Sequence, residues 1–265
     1  MSTLGIAGLV FSAGYLLNVF YITVFYHRGL THRAVVLKPS IERWIARTGN
    51  WLTGIDPKAW ACMHRMHHLH SDSELDPHSP IHQGVFGVLM GQLHSYEHAL
   101  KKLIKRDPIF TRLVADIPFD VSFLNRKKLW ILPYLLHVLI AIGLGLAFHH
   151  VLIGLAYFVG IMSHPVQGWM VNSLAHRFGY VNFKRADHSR NNLMVGLLVF
   201  GEGYQNNHHE YPKHARFSAK WWELDMGYWM CLVGKQLGML EIPARRPLHV
   251  DSSVSDLSHE GLHQY

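Results

Sequence analysis

The sequence predicts an all-α integral membrane protein, in which helical spans and amphipathic interfacial helices carry a histidine-rich cap on the cytoplasmic side. Three observations lead there. Hydrophobic residues make up 49% of the 265 and charged residues only 16%, whereas soluble domains carry about 25% charged residues. Three long stretches contain no charge, and lysine and arginine gather at their ends. Finally, there are 22 histidines, many of them in spaced clusters.

The first apolar stretch runs from Leu4 to Tyr26. As a helix it is about 34 Å long, enough to cross a bilayer. No basic segment precedes it, so it reads as a retained span rather than a cleaved signal. A second stretch, Leu129 to Phe148, and a third, Val151 to Val171, are separated only by His149 and His150. They predict a helical hairpin with a very short turn. The three spans cover about residues 4–26, 129–148 and 151–171.

The basic residues orient these spans. Of 25 lysines and arginines, 15 lie between Arg28 and Lys128 and 10 lie from Arg177 onward. Basic residues at span ends mark the cytoplasmic side. Arg28 and Arg33 flank the first span, Arg126, Lys127 and Lys128 the second, and Arg177 the third. Segments 27–128 and 177–265 are therefore expected in the cytoplasm, with the N-terminus and the His149–His150 turn on the other side. The stretch from Ile41 to Met63 is partly apolar but contains Glu42, Arg43, Arg47, Asp56 and Lys58, which are costly to bury in lipid. It is expected to be an interfacial helix of about residues 41–63. Two further amphipathic helices are expected at 84–104 and 218–239. The latter carries Trp221, Trp222, Tyr228 and Trp229, aromatic residues suited to a membrane interface. Residues 1–243 read as one domain and 244–265 as a polar tail.

Composition also excludes some classes. The net charge of +7 follows membrane topology and forms no nucleic-acid-binding module, so no nucleic-acid partner is expected. Cys62 and Cys231 form no CxxC pair, which argues against thiolate zinc and iron–sulfur sites and leaves them as apolar filler.

The histidines fall into patterned sets: His27 and His32; His64, His67 and His68; Asn172 and His176; and Gln205, His208 and His209. Residues at i, i+3 and i+4 share a helix face, so within each of the last three sets the side chains are expected to project together. His27 and His32 are five apart, about 140° around an α-helix, and the helix is expected to fray at Gly29. Each set lies at or near the end of an apolar element, where imidazoles can converge. Eight imidazoles exceed what one ordinary metal uses and suit two ions with four or five ligands each. Imidazole alone leaves iron, zinc, copper and nickel open. The nearby carboxylates Glu74, Asp76, Glu202 and Glu210 do not repeat at ligand spacing. Single histidines such as His137, His164 and those of the tail (His249, His259, His263) read as packed or solvated side chains, with His137 and His164 also eligible to line a substrate tunnel.

These boxes resemble those of the membrane fatty acid desaturases, particularly the acyl-CoA Δ9 (stearoyl-CoA-like) branch. The resemblance extends to Thr31-His32-Arg33, Trp60, Asp76-Pro77-His78, Val171-Asn172-Ser173 with Phe178-Gly179-Tyr180, and Gly201-Glu202-Gly203-Tyr204. It implies a centre of two iron ions held by His27, His32, His64, His67, His68, His176, His208 and His209, with Asn172 contacting one metal through water. There are two departures. Gln205 opens the third box where the acyl-CoA branch usually has histidine, and one span precedes the first box where the family usually has two.

The resemblance implies O2-dependent introduction of a cis double bond into a saturated acyl chain, presented as a CoA thioester or bound to lipid. Two electrons per turnover must come from outside. These residues contain no segment resembling cytochrome b5 or a ferredoxin, so a separate donor such as a ferredoxin, rubredoxin or cytochrome b5-like protein is expected on the basic cytoplasmic face. Hydroxylation at the same centre and, from another class, non-redox metal transport or sensing are the rival readings. A transporter would place ionisable groups at mid-membrane, whereas these sets sit at span ends.

Overall fold

The computed structural model describes residues 2–245 and Leu248. The tail expected at 244–265, with His249, His259 and His263, otherwise lies outside the described residues. The described chain is mostly helical. Ser2 caps α1 (Thr3–Phe20) by accepting a hydrogen bond from the Gly5 amide at 3.2 Å. The helix does not stop there but widens into a π-helical segment, Tyr21–Thr31. The short strand β1 (Val36–Leu37) follows and later pairs antiparallel with β2 (Leu240–Glu241).

The stretch expected as one helix over 41–63 is two helices, α2 (Pro39–Thr53) and α3 (Pro57–His70). Gly54 ends the first in the left-handed conformation at φ 76°. Asp56 starts the second, its carboxylate accepting from the Lys58 and Ala59 amides at 3.0 Å each. A glycine stop followed by an Asp-Pro start outweighs the continuous apolar pattern. The second histidine box consequently lies inside α3 rather than beyond a helix end.

The chain continues through α4 (Pro80–Ile104), kinked at Gly84, and the short α5 (Pro108–Leu113) and α6 (Phe123–Arg126). Then comes the expected hairpin, α7 (Leu132–Ala147) and α8 (Val151–Ile161). Its turn uses His149 at φ 52°, and His150 accepts from the Leu152 amide. Next are α9 (His164–Trp169), a π-helical turn (Met170–Leu174) and α10 (Ala175–Arg177). The remaining helices are α11 (Leu193–Leu198), α12 (Gln205–Glu210) and α13 (Met226–Gln236).

The continuous helix Thr3–Thr31 is long and apolar enough to cross a membrane. The third expected span is bent by 44° between α8 and the helices from His164 to Arg177, and would be a second crossing only if that pair acts as one. At 16 residues, α7 is about 24 Å long, short of a full crossing. The helix expected at 218–239 begins only at Met226. Residues before it are held irregular because Glu223 turns inward to the Asn182 and Asn207 amides, and Asp225 caps α13 through the Tyr228 amide.

Packing places the site. The main core gathers Val24, Phe25, Tyr26 and Leu30 of the π-helical segment with Ile45 of α2 and Ala59 and Cys62 of α3. Cys62 and Cys231 are both buried and free, as expected of filler. α1 lies along α8 at glycine contacts. A β-carbon on Gly160 would stand 2.4 Å from the Phe11 carbonyl, and one on Gly14 3.0 Å from the Ile161 amide. Outward faces of α7 and α8 expose Leu139, Leu146 and Val151. Arg28, read from sequence as a charge beside a membrane, is instead fully buried. Its guanidinium pairs with Glu202 and Asp225 and lies 3.7 Å over the Phe217 ring.

Candidate metal centre

The first box is shaped by the π-helical segment. Its backbone bonds run from i+5 to i, and the His32 amide donates to the His27 carbonyl at 3.1 Å. Five residues then make about one turn, so His27 and His32 come to the same side, their rings 4.9 Å apart. The helix therefore does not fray at Gly29. The second box rides on α3, the third on α12, and His176 on α10 just past the second π-helical turn.

The eight histidines meet, but not box by box. His27, His32, His64, His68 and His208 form one set, and His67, His176 and His209 another, the potential ligand atoms of each lying within 4.8 Å of one another. The expectation that each box projects as a unit is thus corrected. His67 separates from His64 and His68, and His208 from His209. Neighbours in sequence point about 100° apart on a helix, enough to serve two adjacent points. The division is five and three rather than four or five each.

Several contacts say what belongs between the rings. His27 Nε2 lies 3.0 Å from His208 Nε2, and His68 Nε2 lies 3.1 Å from both His64 Nε2 and His208 Nε2. Behind four of the rings stand carboxylates. Nδ1 of His27 donates to Glu202 (2.6 Å), that of His67 to Asp76 (2.9 Å), that of His176 to Asp72 (3.0 Å) and that of His209 to Asp187 (3.3 Å). These bonds fix the proton on Nδ1 and turn the Nε2 lone pair inward. The Nε2 atoms of His32, His67, His176 and His209 are buried and unpartnered. Converging buried lone pairs repel unless a cation lies among them, and about 3 Å is the spacing of two nitrogens at right angles around an ion about 2.1 Å away. The donor set fits metal ions.

Electrostatics agree. Burial raises the carboxyls, but hydrogen bonds and the nearby imidazoles outweigh it. They hold Asp76 at about 2 and Asp72 and Asp187 well below the usual range. Glu202 is held at about 2 by His27 and Arg28. Burial pushes the imidazoles the other way, taking His64, His68 and His208 well below their ordinary value and His209 to about 3. These four imidazoles are thereby held neutral, the ligating form.

The remaining expected residues are close by. Gln205 opens α12 and is buried. Its amide nitrogen donates to the Glu202 carbonyl at 2.7 Å, while its side-chain oxygen is buried and unpartnered. Asn172 is buried in the second π-helical turn and lines a partly open cavity. Trp60, His27, His64 and Glu202 form the metal-side wall of this cavity, and Ile22, Ile55, Leu93, Val171 and Val199 add apolar lining. His164 also lines it, within the role left open for it, whereas His137 is packed between the Tyr157 hydroxyl (2.7 Å) and the Trp51 carbonyl (3.0 Å). Sequence reasoning missed Asp72 and Asp187, which no ligand spacing marks. Asp76 and Glu202, set aside for lacking such spacing, stand behind ligands rather than among them. His78, quoted with Asp76 and Pro77 in the resemblance but given no role, is fully buried against His67, ring centroids 4.8 Å apart.

A model of the fatty acid desaturase family matches residues 3–232. The chain belongs to the fatty acid desaturase family. It is 35% identical over 215 residues to an sn-1 stearoyl-lipid 9-desaturase of Anabaena variabilis, covering 79% of this chain and 72% of that one. An acyl-CoA 5-desaturase of Anemone leveillei is 31% identical over 250 residues, 90% of this chain and 74% of the relative. A hex-5-enoyl-[acyl-carrier protein] acetylenase of Moorena producens is 31% identical over 235 residues, 84% and 72% of the two chains. This desaturase is an oxidoreductase that introduces a double bond into a fatty acyl chain.

Proposed function

We propose that the protein is a multi-pass membrane desaturase of the Δ9 type, with its metal centre on the cytoplasmic side and two Fe2+ ions as cofactors. His27, His32, His64, His68 and His208 would hold one ion. His67, His176 and His209 would hold the other, with Gln205 through its side-chain oxygen and Asn172 through water completing the centre. The observation that carries this reading is the convergence of eight histidines into two carboxylate-backed sets beside a largely apolar cavity. Apolar lining suits an acyl chain, and the relatives named as acting on lipid-bound and CoA-bound acyl groups support either head group. The exposed leucines and valines of α7 and α8 and the apolar Thr3–Thr31 helix support the bilayer.

The reaction is R–CH2–CH2–R′ + O2 + 2 e⁻ + 2 H⁺ → R–CH=CH–R′ + 2 H2O. Bound iron would supply the O2 activation that side chains cannot. The chain's own residues do the rest. Trp60 stacks on His64 at 8° and 5.1 Å and forms the cavity wall nearest the ligands. Ile22, Leu93 and Val171 exclude water and limit where the acyl chain lies, since a misplacement of about 1 Å costs about 10²-fold in rate. Asp72, Asp76, Asp187 and Glu202 hold the imidazoles in the ligating tautomer.

The test is expression in a host lacking the activity, followed by fatty-acid profiling with double-bond location. A new cis-unsaturated acid is expected; a hydroxy acid in its place would move the assignment to a hydroxylase. Zinc-only purified protein with neither product would end the redox reading. Gln205→His should retain activity and His208→Ala should abolish it, and an inactive Gln205→His would show that the glutamine has a role imidazole cannot fill.

A further inference from the structure

Resting on the desaturase reading, we propose that the surface formed by residues 184–190, with Lys213 and Lys220, is the docking site of an acidic one-electron carrier protein, and that electrons enter through it at the three-histidine set. Two hydrogen-bonded bridges lead from this surface to that set. The His188 amide donates to Asp72 at 2.9 Å, and the same carboxylate oxygen accepts from His176 Nδ1. One residue earlier, Asp187 accepts from His209 Nδ1 and is held by Arg185 at 2.9 Å. Thus two of the three histidines are tied, each through one carboxylate, to one short surface loop. The His188 side chain on that loop is 57% exposed.

The charge around the loop favours an acidic partner. Its acidic residue Asp187 and the nearby Glu210 are both already paired with Arg185. Lys184, Lys213, Arg177 and Arg216 are exposed and Lys220 is half-buried, and none has an ion pair among the described residues. The segments are contiguous. Arg185 bridges to Glu210 of α12, Phe183 packs edge-on against Tyr211, and Lys220 lies over Tyr180 and Trp222. Uncompensated positive charge over a hydrogen-bonded approach to a metal set is what steers a negatively charged carrier into transfer distance. Each encounter oxidises one carrier and reduces the centre by one electron, and two encounters supply the two electrons of a turnover.

The test measures binding and transfer separately. The full chain in nanodiscs is titrated with two acidic probes, a [2Fe–2S] ferredoxin and the soluble domain of a cytochrome b5, over a salt series. At least one probe should bind the unaltered protein, with affinity falling as salt rises. The double variant Lys184→Glu/Lys213→Glu should weaken that binding at least 10-fold and flatten the salt dependence. Lys105→Glu/Arg112→Glu, at exposed positions at the end of α4 and in α5, should leave it unchanged. Dithionite-driven single turnover should be equal in all three proteins, because it bypasses the carrier. The proposal is overturned if neither probe binds at low salt, if the 184/213 variant binds as tightly as the unaltered protein, or if the 105/112 variant is the one that fails. Absence of alkene in the dithionite experiment would strike the desaturase reading itself, separately from the binding result.

Discussion

The Asp187 carboxylate reaches His209 from a loop that no histidine pattern marks. Carboxylates behind ligands typically raise metal affinity by 10–100-fold. Asp187→Asn should therefore lower iron affinity by about that factor in a chelator competition, with helix content retained; an unchanged affinity would show that Asp187 is a bystander. Farther out, Asp116 serves stability rather than the centre. Burial alone would raise it, but hydrogen bonds from Arg65 and Arg33 hold it at about 2. A carboxylate with a depressed folded pKa stabilises above its unfolded value of about 4 and loses this as pH falls through the folded one. The stability gap between the unaltered protein and Asp116→Asn should be about 1 kcal/mol at pH 6, given its exposure, and should close between about pH 4 and pH 2. A gap that persisted at pH 2 in denaturant titrations would refute the assignment. At this scale the sequence was readable where spacing is chemistry: all eight histidines could be named. The carboxylates behind them could not, because a loop residue meets its imidazole through tertiary folding and not through any period. Arg28 was misread for the same reason, since its partners Glu202 and Asp225 lie 174 and 197 residues away.

Among the elements, the two π-helical segments stand directly before or within the ligand-bearing turns. Apolar composition predicted the first helix, but nothing in composition distinguishes a helix of 3.6 residues per turn from one that widens near its end. The His27–His32 interval of five was the one available sign, because five is the step of a π-helical bond. The α2–α3 break was likewise written in Gly54, Asp56 and Pro57, and was obscured by the apolar residues on either side. Contact between α1 and α8 sets where the first helix, and therefore His27, stands. Gly160→Leu should force these helices apart and destabilise the fold by about 1–3 kcal/mol, with reduced iron content. Thermal unfolding and metal analysis on the same preparation would check this, and normal values for both would remove the contact from any role in placing the centre.

On the scale of the molecule, the eight ligand candidates are drawn from the first helix, α3, α10, α12 and the turn after Thr31, so bound metal would tie together segments from one end of the described chain nearly to the other. Ligands that bind only the folded state stabilise it by about 4 kcal/mol at a thousandfold excess over Kd. Stripping the metal with a chelator should thus lower the unfolding temperature in detergent by about 10 °C, and scanning fluorimetry with and without added Fe2+ is the measurement. Identical curves would mean that metal is no part of the fold's cohesion. The overall helical class and the single histidine centre were legible from composition and clustering. The bend in the third apolar stretch was overlooked, although Pro165 at the start of α9 marks the break. One consequence follows from the way His67–His68 and His208–His209 divide between the two sets. In both pairs a single peptide link, with its fixed 3.8 Å step between α-carbons, joins a member of one histidine set to a member of the other. The spacing of the two sets is therefore gauged twice by covalent bonds, and breathing of the surrounding helices could tilt any ions they held but would have little means of drawing them apart.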